Sequence, residues 1–526
     1  MRYLLPAILL LGTQIASAQS ILKDKDDKEL SVLLNEVVIT GTGTEHYLKD
    51  APVQTEVITS KALEQYQARS IDDLLSGLSP SLTFHDGDMG SHIQLNGLNN
   101  DYILIMINGK RMNGDVGGQN DLNQLNPANI ERIEIVKGAA SSLYGSDAIA
   151  GVINNITKRN REKKELTNTS RIGEYGDIRQ STSFGFNYRK IKSVTGINFR
   201  HTDGWRNTDL QWDQNQLKSG STMLTVNRSS NYTLSENIEW QVNRKLDLTA
   251  EGTYYERWVM RTHGPWKYQA NDFYYRNYTF AVGSKYKLGK RNYLAADLSY
   301  GRYGYFYDYK LNEHTDYFLD NDRHERITYF AGQRIKQSIQ KQILGQVKSV
   351  FYLGEDHILN AGIEYQYNHL ESPHHIDGDR ASVYTLAAYI QEEWTARENL
   401  VLTAGVRGTQ HKETGLNFSP KISGLYKPGE HINLRASYAL GYKAPTIKEL
   451  YYNYTGVIGG GALTAYHGNT DLKAQTSQYA SIGIEYVGQK FQASLTGYMN
   501  YLHNMIELGE INVTPFLKFL VVVKFK

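Results

Sequence analysis

The chain of 526 residues contains no cysteine and only 10 prolines. Without cysteine there is no disulfide scaffold, no Cys-ligated zinc and no thiol chemistry, although a metal site built from histidine or carboxylate stays open. An excess of one charge is also missing. The 57 basic and 55 acidic residues leave a net charge of +2, which argues against a nucleic-acid-binding surface. Beyond the extreme N-terminus there is no apolar run long enough for a membrane helix, and the mean hydropathy is −0.50, so a bundle of transmembrane helices is excluded. No Gly-x-Ser-x-Gly, His-Glu-x-x-His or phosphate-binding Gly-x-x-x-x-Gly-Lys-Ser/Thr pattern occurs, and an enzyme is not expected. What is abundant is tyrosine, 39 against 15 Phe and 6 Trp, beside 46 Gly. A side chain apolar in its ring and polar at its tip suits extensive interfacial surface, as in a membrane β-barrel; a Tyr-rich soluble β-protein is the alternative on composition alone.

Met1-Arg2-Tyr3, the apolar stretch Leu4 to Gly12 and the small-residue site Ala16-Ser17-Ala18 read as a secretory signal peptide over residues 1–18. Up to about residue 160 helix-like and strand-like segments alternate. Ser70 to Leu75 looks like a capped helix start, and Tyr102 to Ile107 and Ile130 to Val136 look like strands, so this part reads as a small α/β unit. From about residue 165 the period becomes two: Ile432, Leu434, Ala436, Tyr438, Leu440 and Tyr442 share one face, with Asn433, Arg435, Ser437, Ala439 and Gly441 on the other. Tight turns are expected near Arg189, Gln241, Leu288, Leu353, Thr395, Lys427 and Gly488. Long polar loops are expected between them, including Tyr307 to Gln340, Leu370 to Arg380, Thr409 to Asn417 and Lys443 to Gln475. Short joints on one side and long ones on the other are the pattern of an outer-membrane barrel, whose sheet closes because every backbone polar group in lipid must be paired. About fifteen strands of roughly ten residues fit before His503.

The run Ile130 to Asn154 carries Gly138, Ser141, Tyr144, Gly145 and Gly151, and closely resembles the plug signature of TonB-dependent outer-membrane receptors. Tyr442-Lys443-Ala444-Pro445 and Asn469-Thr470-Asp471-Leu472 resemble the two barrel motifs of the same family. Single departures, Ala139 for Pro, Asn96 for Arg, Thr470 for Pro and Gln475 for Glu, leave that framework intact. The resemblance implies a mainly β fold: a transmembrane antiparallel β-barrel in the outer membrane of a Gram-negative bacterium, with an N-terminal α/β plug in its lumen. The domains expected are the signal peptide, a periplasmic segment over 19–44, the plug over 45–160, an incomplete barrel over 161–512 and an aberrant tail over 513–526. The family's barrels close with about 22 strands, so the barrel is expected to be truncated by about seven.

Glu36-Val37-Val38-Ile39-Thr40 resembles the family's TonB box, an extended β-branched segment suited to edge pairing with TonB, the partner linked to the inner-membrane energising complex. The other partners implied are outer-membrane lipid and a small iron or cobalt ligand, with no nucleic acid. No permanently bound cofactor is expected, and the metal, if any, is unspecified; haem or a ferric siderophore is expected as transported ligand. Because imidazole ligates haem iron, His467 between the barrel motifs and His85 or His92 in the plug are expected as haem ligands, with His374 and His375 in reserve. This makes uptake of haem, free or delivered on haemoglobin, the first expectation. A siderophore or cobalamin receptor and a truncated surface ligand-binding protein without transport are the alternatives.

Overall fold

The computed structural model describes residues 36–66, 70–87, 89–116, 118–160, 162–213, 216–219, 224–261, 271–319, 323–458, 462–488, 492–514 and 517–524. The expected signal peptide lies outside the described residues.

The first unit is built on a five-stranded sheet in the order Thr55–Thr59, Ile130–Lys137, Gly151–Thr157, Ile103–Ile107, Lys110–Arg111. The segment Ile103–Ile107 is apolar throughout and pairs in parallel with Gly151–Thr157, as a strand covered on both faces does. The helix Ile71–Leu78 starts where the Ser70 hydroxyl accepts from the Asp73 amide at 3.2 Å. Its apolar stripe of Ile71, Leu74 and Leu75 is buried in one core with Ile133, Ile135 and Ile153 of the sheet.

The second unit is one antiparallel sheet of fifteen strands in sequence order. They are β1 (Lys164–Ile172), β2 (Ile178–Tyr188), β3 (Ile191–Thr202), β4 (Arg228–Gln241) and β5 (Leu246–Met260). Next come β6 (Asn271–Lys287), β7 (Tyr293–Tyr309), β8 (Arg334–Leu353), β9 (His357–Glu371) and β10 (Arg380–Arg397). The last are β11 (Leu400–His411), β12 (Gly415–Gly429), β13 (Ile432–Lys443), β14 (Gln475–Val487) and β15 (Gln492–His503). Lengths run from 9 residues in β1 to 20 in β8, so several strands extend well past the ten or so that cross a bilayer. Among the described residues β1 and β15 are the edges of this sheet.

Connections segregate by end. At one end only 189–190, 242–245, 288–292, 354–356, 398–399 and 430–431 separate consecutive strands, whereas 310–333, 372–379 and 444–474 lie at the other, beside the short 173–177. One expectation needs correcting. Instead of a long loop from Thr409 to Asn417, β11 and β12 continue in register to His411 opposite Gly415, leaving the turn 412–414. Gly415 supplies the φ of +73° that this tight reversal needs.

The two faces of the wall are fixed by what they touch. Tyr303 on β7, Gln340 on β8, Asn360 on β9 and Gln391 on β10 all hydrogen-bond the first unit, so their parity points into the lumen. The opposite parity exposes Leu234, Leu298, Ile363, Leu386, Ile390 and Ile422, an apolar band on the outside. Aromatic residues bound that band on both sides. Near the tight turns stand Tyr188, Trp240, Tyr286, Trp394, Tyr426 and Tyr486. Toward the other end a chain of rings crosses β3 to β7: Phe199–Tyr232 at 4.9 Å, Tyr232–Trp258 at 5.7 Å, Trp258–Tyr274 at 5.3 Å and Tyr274–Phe306 at 5.7 Å. An outward apolar band between two aromatic girdles is a membrane surface, and it accounts for part of the excess of tyrosine.

The tail from Val513 includes the strand Leu517–Lys524. It pairs antiparallel with Ile506–Thr514 and parallel with Ala462–His467, in a four-stranded sheet separate from the wall.

Candidate functional site

At the loop end of the lumen the plug reaches the wall through Asp121, which is fully buried. Its carboxylate accepts from the hydroxyls of Tyr255 at 3.0 Å and Tyr303 at 2.9 Å, and from the Arg257 guanidinium at 3.3 Å. A buried carboxylate persists only with such partners. Around this anchor the inward faces of β5, β6 and β7 form an aromatic wall. Tyr255, Phe273, Tyr275, Tyr303 and Tyr305 pack with Met89 and Val116 of the plug. Tyr275 and Tyr305 stack with centroids 5.1 Å apart at 14°, and Phe273 and Tyr307 at 5.5 Å and 22°. Two guanidiniums lie over these rings, Arg261 at 4.5 Å from Phe273 and Arg257 at 5.6 Å from Tyr275. Phe273, Tyr275 and Tyr305 are buried in these contacts, while Tyr307 and Arg261 are half-buried and place a π face and a positive charge at the margin of the wall. The sequence reading missed it, although the alternation Tyr303, Tyr305, Tyr307, Tyr309 on a period of two was a visible signal.

The two barrel motifs and the plug signature meet on the other side of the lumen. The Ser141 hydroxyl accepts from the Tyr442 amide at 3.1 Å, and the Ser146 hydroxyl from the Ala444 amide at 3.1 Å. Gly138 has φ +89° and faces the Tyr479 ring so closely that a Cβ would lie 2.2 Å from it. Gly145 packs in the same way on Arg407, and Gly151 on the Val136 carbonyl. Past Pro445 the helix Ile447–Tyr451 opens with a capping box between Thr446 and Glu449. The second motif closes back onto it: the Asn469 amide donates to the Glu449 carbonyl at 2.8 Å, Asn469 accepts from the Asp471 amide at 2.8 Å, and Leu472 is buried beside Leu450. Thr470 and Asp471 are exposed. These residues therefore join plug, wall and loop.

Charge crosses the same junction. Lys443 is 1% exposed, with its ammonium 3.5 Å from Glu449. Lys448 bonds the Asp115 carboxylate at 2.8 Å; burial opposes its charge, but Asp115 outweighs that and holds its pKa above the ordinary lysine value. Burial pushes Asp101 up to about 6 against the opposing pull of Lys443.

The segment 36–47 is docked on the plug and the wall. Val37–Val38 pairs with His46–Tyr47, so the segment that resembles a TonB box is extended and paired with its own chain. Glu36 precedes this pair, and its carbonyl accepts from the Leu48 amide at 2.8 Å. Glu134, fully buried in the plug signature, accepts from the amides of Ile39 at 3.0 Å and Thr40 at 2.9 Å and from the Thr40 hydroxyl at 2.7 Å. The Tyr144 hydroxyl donates to the Thr40 carbonyl at 2.9 Å, while Gln391 and Asn360 of the wall donate to the Thr42 carbonyl.

The expected histidines fall into two groups. His85 and His92 are cross-strand neighbours in the plug hairpin Leu82–Gly87/Gly90–Leu95, and both are exposed. His467 donates from Nδ1 to the Asn453 side-chain oxygen at 2.8 Å and lines a cavity of about 540 Å³ with Asp377, Arg380, Lys412 and Tyr451. The Asn453 amide also donates to the His375 carbonyl at 2.7 Å. The His375 ring is packed by Tyr452 and Tyr454 at 5.7 and 4.5 Å, beside His374 at φ +65°. Among the described residues no three His, Asp or Glu side chains stand together to hold a metal ion.

Comparison with known proteins decides the family. The profile of the TonB dependent receptor-like β-barrel matches residues 157–518, and that of the TonB-dependent receptor plug domain matches residues 48–152. The chain belongs to the TonB-dependent receptor family. It is thus an outer-membrane β-barrel receptor of Gram-negative bacteria and not an enzyme. Curated members include the iron-regulated outer membrane virulence protein of Vibrio cholerae, 25% identical over 88% of this chain and 68% of the relative. The ferric enterobactin receptor PirA of Pseudomonas aeruginosa is 23% identical over 94% and 74%. The vitamin B12 transporter BtuB of Vibrio cholerae is 22% identical over 90% and 71%. Among solved TonB-dependent receptors, the siderophore receptor PirA of Pseudomonas aeruginosa superposes with a TM-score of 0.69 at 20% identity, covering 90% of this chain and 79% of that one. These relatives are siderophore and vitamin B12 receptors, which favours that alternative over the haem expectation drawn from the histidines.

Proposed function

We propose that this TonB-dependent receptor takes up a ferric siderophore of the catecholate type, with energy drawn from TonB through residues 36–40. The observation that carries this reading is the half-buried margin of the inward aromatic wall, where Tyr307 stacks on Phe273 and the Arg261 guanidinium lies over the same ring. A ferric tricatecholate is a planar-ringed, multiply charged anion, and stacking plus guanidinium contact is the chemistry that recognises it. The relatives named for ferric enterobactin support the same ligand class. Haem ligation finds less support: the imidazole of His467 is engaged with Asn453, and that of His375 is wedged between tyrosines.

The purified receptor is expected to bind a ferric tricatecholate in preference to haem or cyanocobalamin, as read by quenching of intrinsic fluorescence. Exchanging Tyr307→Ala removes the half-buried ring, and loss of one ring-stacking contact with the ligand, worth about 0.5–1.5 kcal/mol, should weaken binding by up to roughly tenfold. A haem Soret shift abolished by His467→Ala or His92→Ala, with no tricatecholate binding, would overturn the reading.

A further inference from the structure

A buried lysine on the lumenal face of the wall lacks a counter-charge. Lys421 on β12 shares the inward parity of Ser419, whose partner Arg407 on β11 reaches the Leu143 carbonyl of the plug at 3.1 Å. It is 5% exposed, and among the described residues its ammonium has neither a hydrogen bond nor an ion pair. Taking an ammonium out of water without a partner is strongly unfavourable.

Lys421 lines a cavity of about 240 Å³ between plug and wall. The plug contributes residues of 48–57 with Lys137 and Ala139, and the wall contributes β12 to β15. At about 30 Å³ per water the space takes a polyatomic ion with several waters. Four cations line it, Lys49, Lys137, Lys421 and Arg435, against the two carboxylates of Glu56 and Glu485. Both carboxylates are already engaged, Glu56 by Lys137 at 2.7 Å and Glu485 by Arg435 at 2.5 Å. Two positive charges remain, on buried Lys421 and on exposed Lys49. Hydroxyl donors adjoin them. Ser437 and Ser481, direct neighbours on β13 and β14, line the same cavity. Their row continues across the sheet to Ser423 and Thr403, whose hydroxyls are buried without a hydrogen-bond partner among the described residues.

We propose that this cavity is a binding site for a tetrahedral dianion, sulfate or hydrogen phosphate, with Lys421 as its principal contact and the Ser437 and Ser481 hydroxyls as further donors. A double negative charge matches the two unbalanced cations, which chloride or a single carboxylate does not. Several acceptor oxygens on one small ion suit an ammonium and a row of hydroxyls. Because plug and wall each supply one face, the bound ion ties segment 48–57 to β12–β14. The site lies on strands other than β5 to β7, which carry the aromatic margin, so it does not depend on which ligand is transported.

Equilibrium dialysis of the detergent-purified full chain against radioactive sulfate or phosphate, in a chloride buffer, tests this. One dianion per wild-type chain is expected, and either dianion supports the site while the two arms show which it prefers. Lys421→Met should weaken binding by roughly tenfold or more, the cost of one charge-assisted hydrogen bond. Lys421→Arg keeps the charge and should retain binding, and Lys290→Met, which removes an exposed cation from a tight turn, should leave it unchanged. Heat-modifiability on a gel separates loss of the site from loss of folding. The double variant Ser437→Ala, Ser481→Ala, which leaves the lysine in place, should also weaken binding. In a second measurement the dianion should delay proteolysis of the plug on heating in wild type and not in Lys421→Met. Displacement by chloride as effective as by sulfate would overturn the dianion assignment. Absence of binding to wild type, or unchanged binding to folded Lys421→Met, would overturn the site.

Discussion

Glu134 shows how one side chain ties function to fold. It is fully buried, and its oxygens are satisfied by Arg132, by the amides of Ile39 and Thr40 and by the Thr40 hydroxyl. Removing a buried partner of this kind costs about 1–3 kcal/mol. Glu134→Ala should therefore release residues 36–44 from the plug, seen as faster motion of a spin label placed at Val37, with the barrel still heat-modifiable. Gly138→Ala should act differently, because the left-handed φ of +89° and the Tyr479 ring both reject a side chain. A loss of about 1–3 kcal/mol in plug docking is expected, measured as earlier proteolysis of the plug on heating. His375 adds a pH dependence. Burial, opposed by the Pro373 carbonyl and helped by neighbouring His374, lowers its pKa to about 4. Its folded value lies below the unfolded one, so its contribution is present above about 6.5 and is lost as the pH falls through about 4. Hydrogen exchange of 372–379 should accelerate across that window, and His375→Gln should flatten the response. Gly138 was legible in the sequence as part of a signature, but the role of Glu134 was not, since Thr40 lies 94 residues away along the chain.

At the scale of elements, period-two alternation and turn spacing made the strands readable, and the capped helix at Ser70 appeared where its residues placed it. What failed was the reversal after β11. Lys412-Glu413-Thr414 is polar enough to read as loop, yet the flanking residues stay paired and Lys412 bonds its neighbour Glu413 at 2.8 Å. Pairing across the whole wall overrode local composition. The aromatic wall was missed for a related reason. Alternation marks Tyr303 to Tyr309 as one face, but only the contact of Tyr303 with Asp121 tells that the face is lumenal and meets the plug. The segment Ile39–Thr44 bridges plug and wall through Glu134, Tyr144, Asn360 and Gln391. Weakening only its wall side with Gln391→Ala should loosen the segment less than Glu134→Ala does, and the two spin-label spectra would rank the two anchors.

For the whole molecule, the absence of cysteine that first excluded disulfides becomes experimentally useful, because any introduced thiol is unique. The segregation of connections predicts that Asp377→Cys is labelled from outside intact cells by an impermeant maleimide and Arg244→Cys is not. The reverse pattern would invert the barrel. Plug, strands and membrane class were legible because they follow from periodicity and a long signature; the ligand was not, because histidine content alone does not show which imidazoles are already engaged. The central claim is energy-coupled uptake of a ferric tricatecholate, and accumulation of radioactive iron by cells carrying this receptor tests it most directly. Iron delivered on a tricatecholate should accumulate only when TonB and the proton-motive force are present, and Val38→Pro in the box should abolish accumulation while leaving surface binding intact. Surface binding without accumulation, or accumulation of haem iron in place of tricatecholate iron, would contradict it.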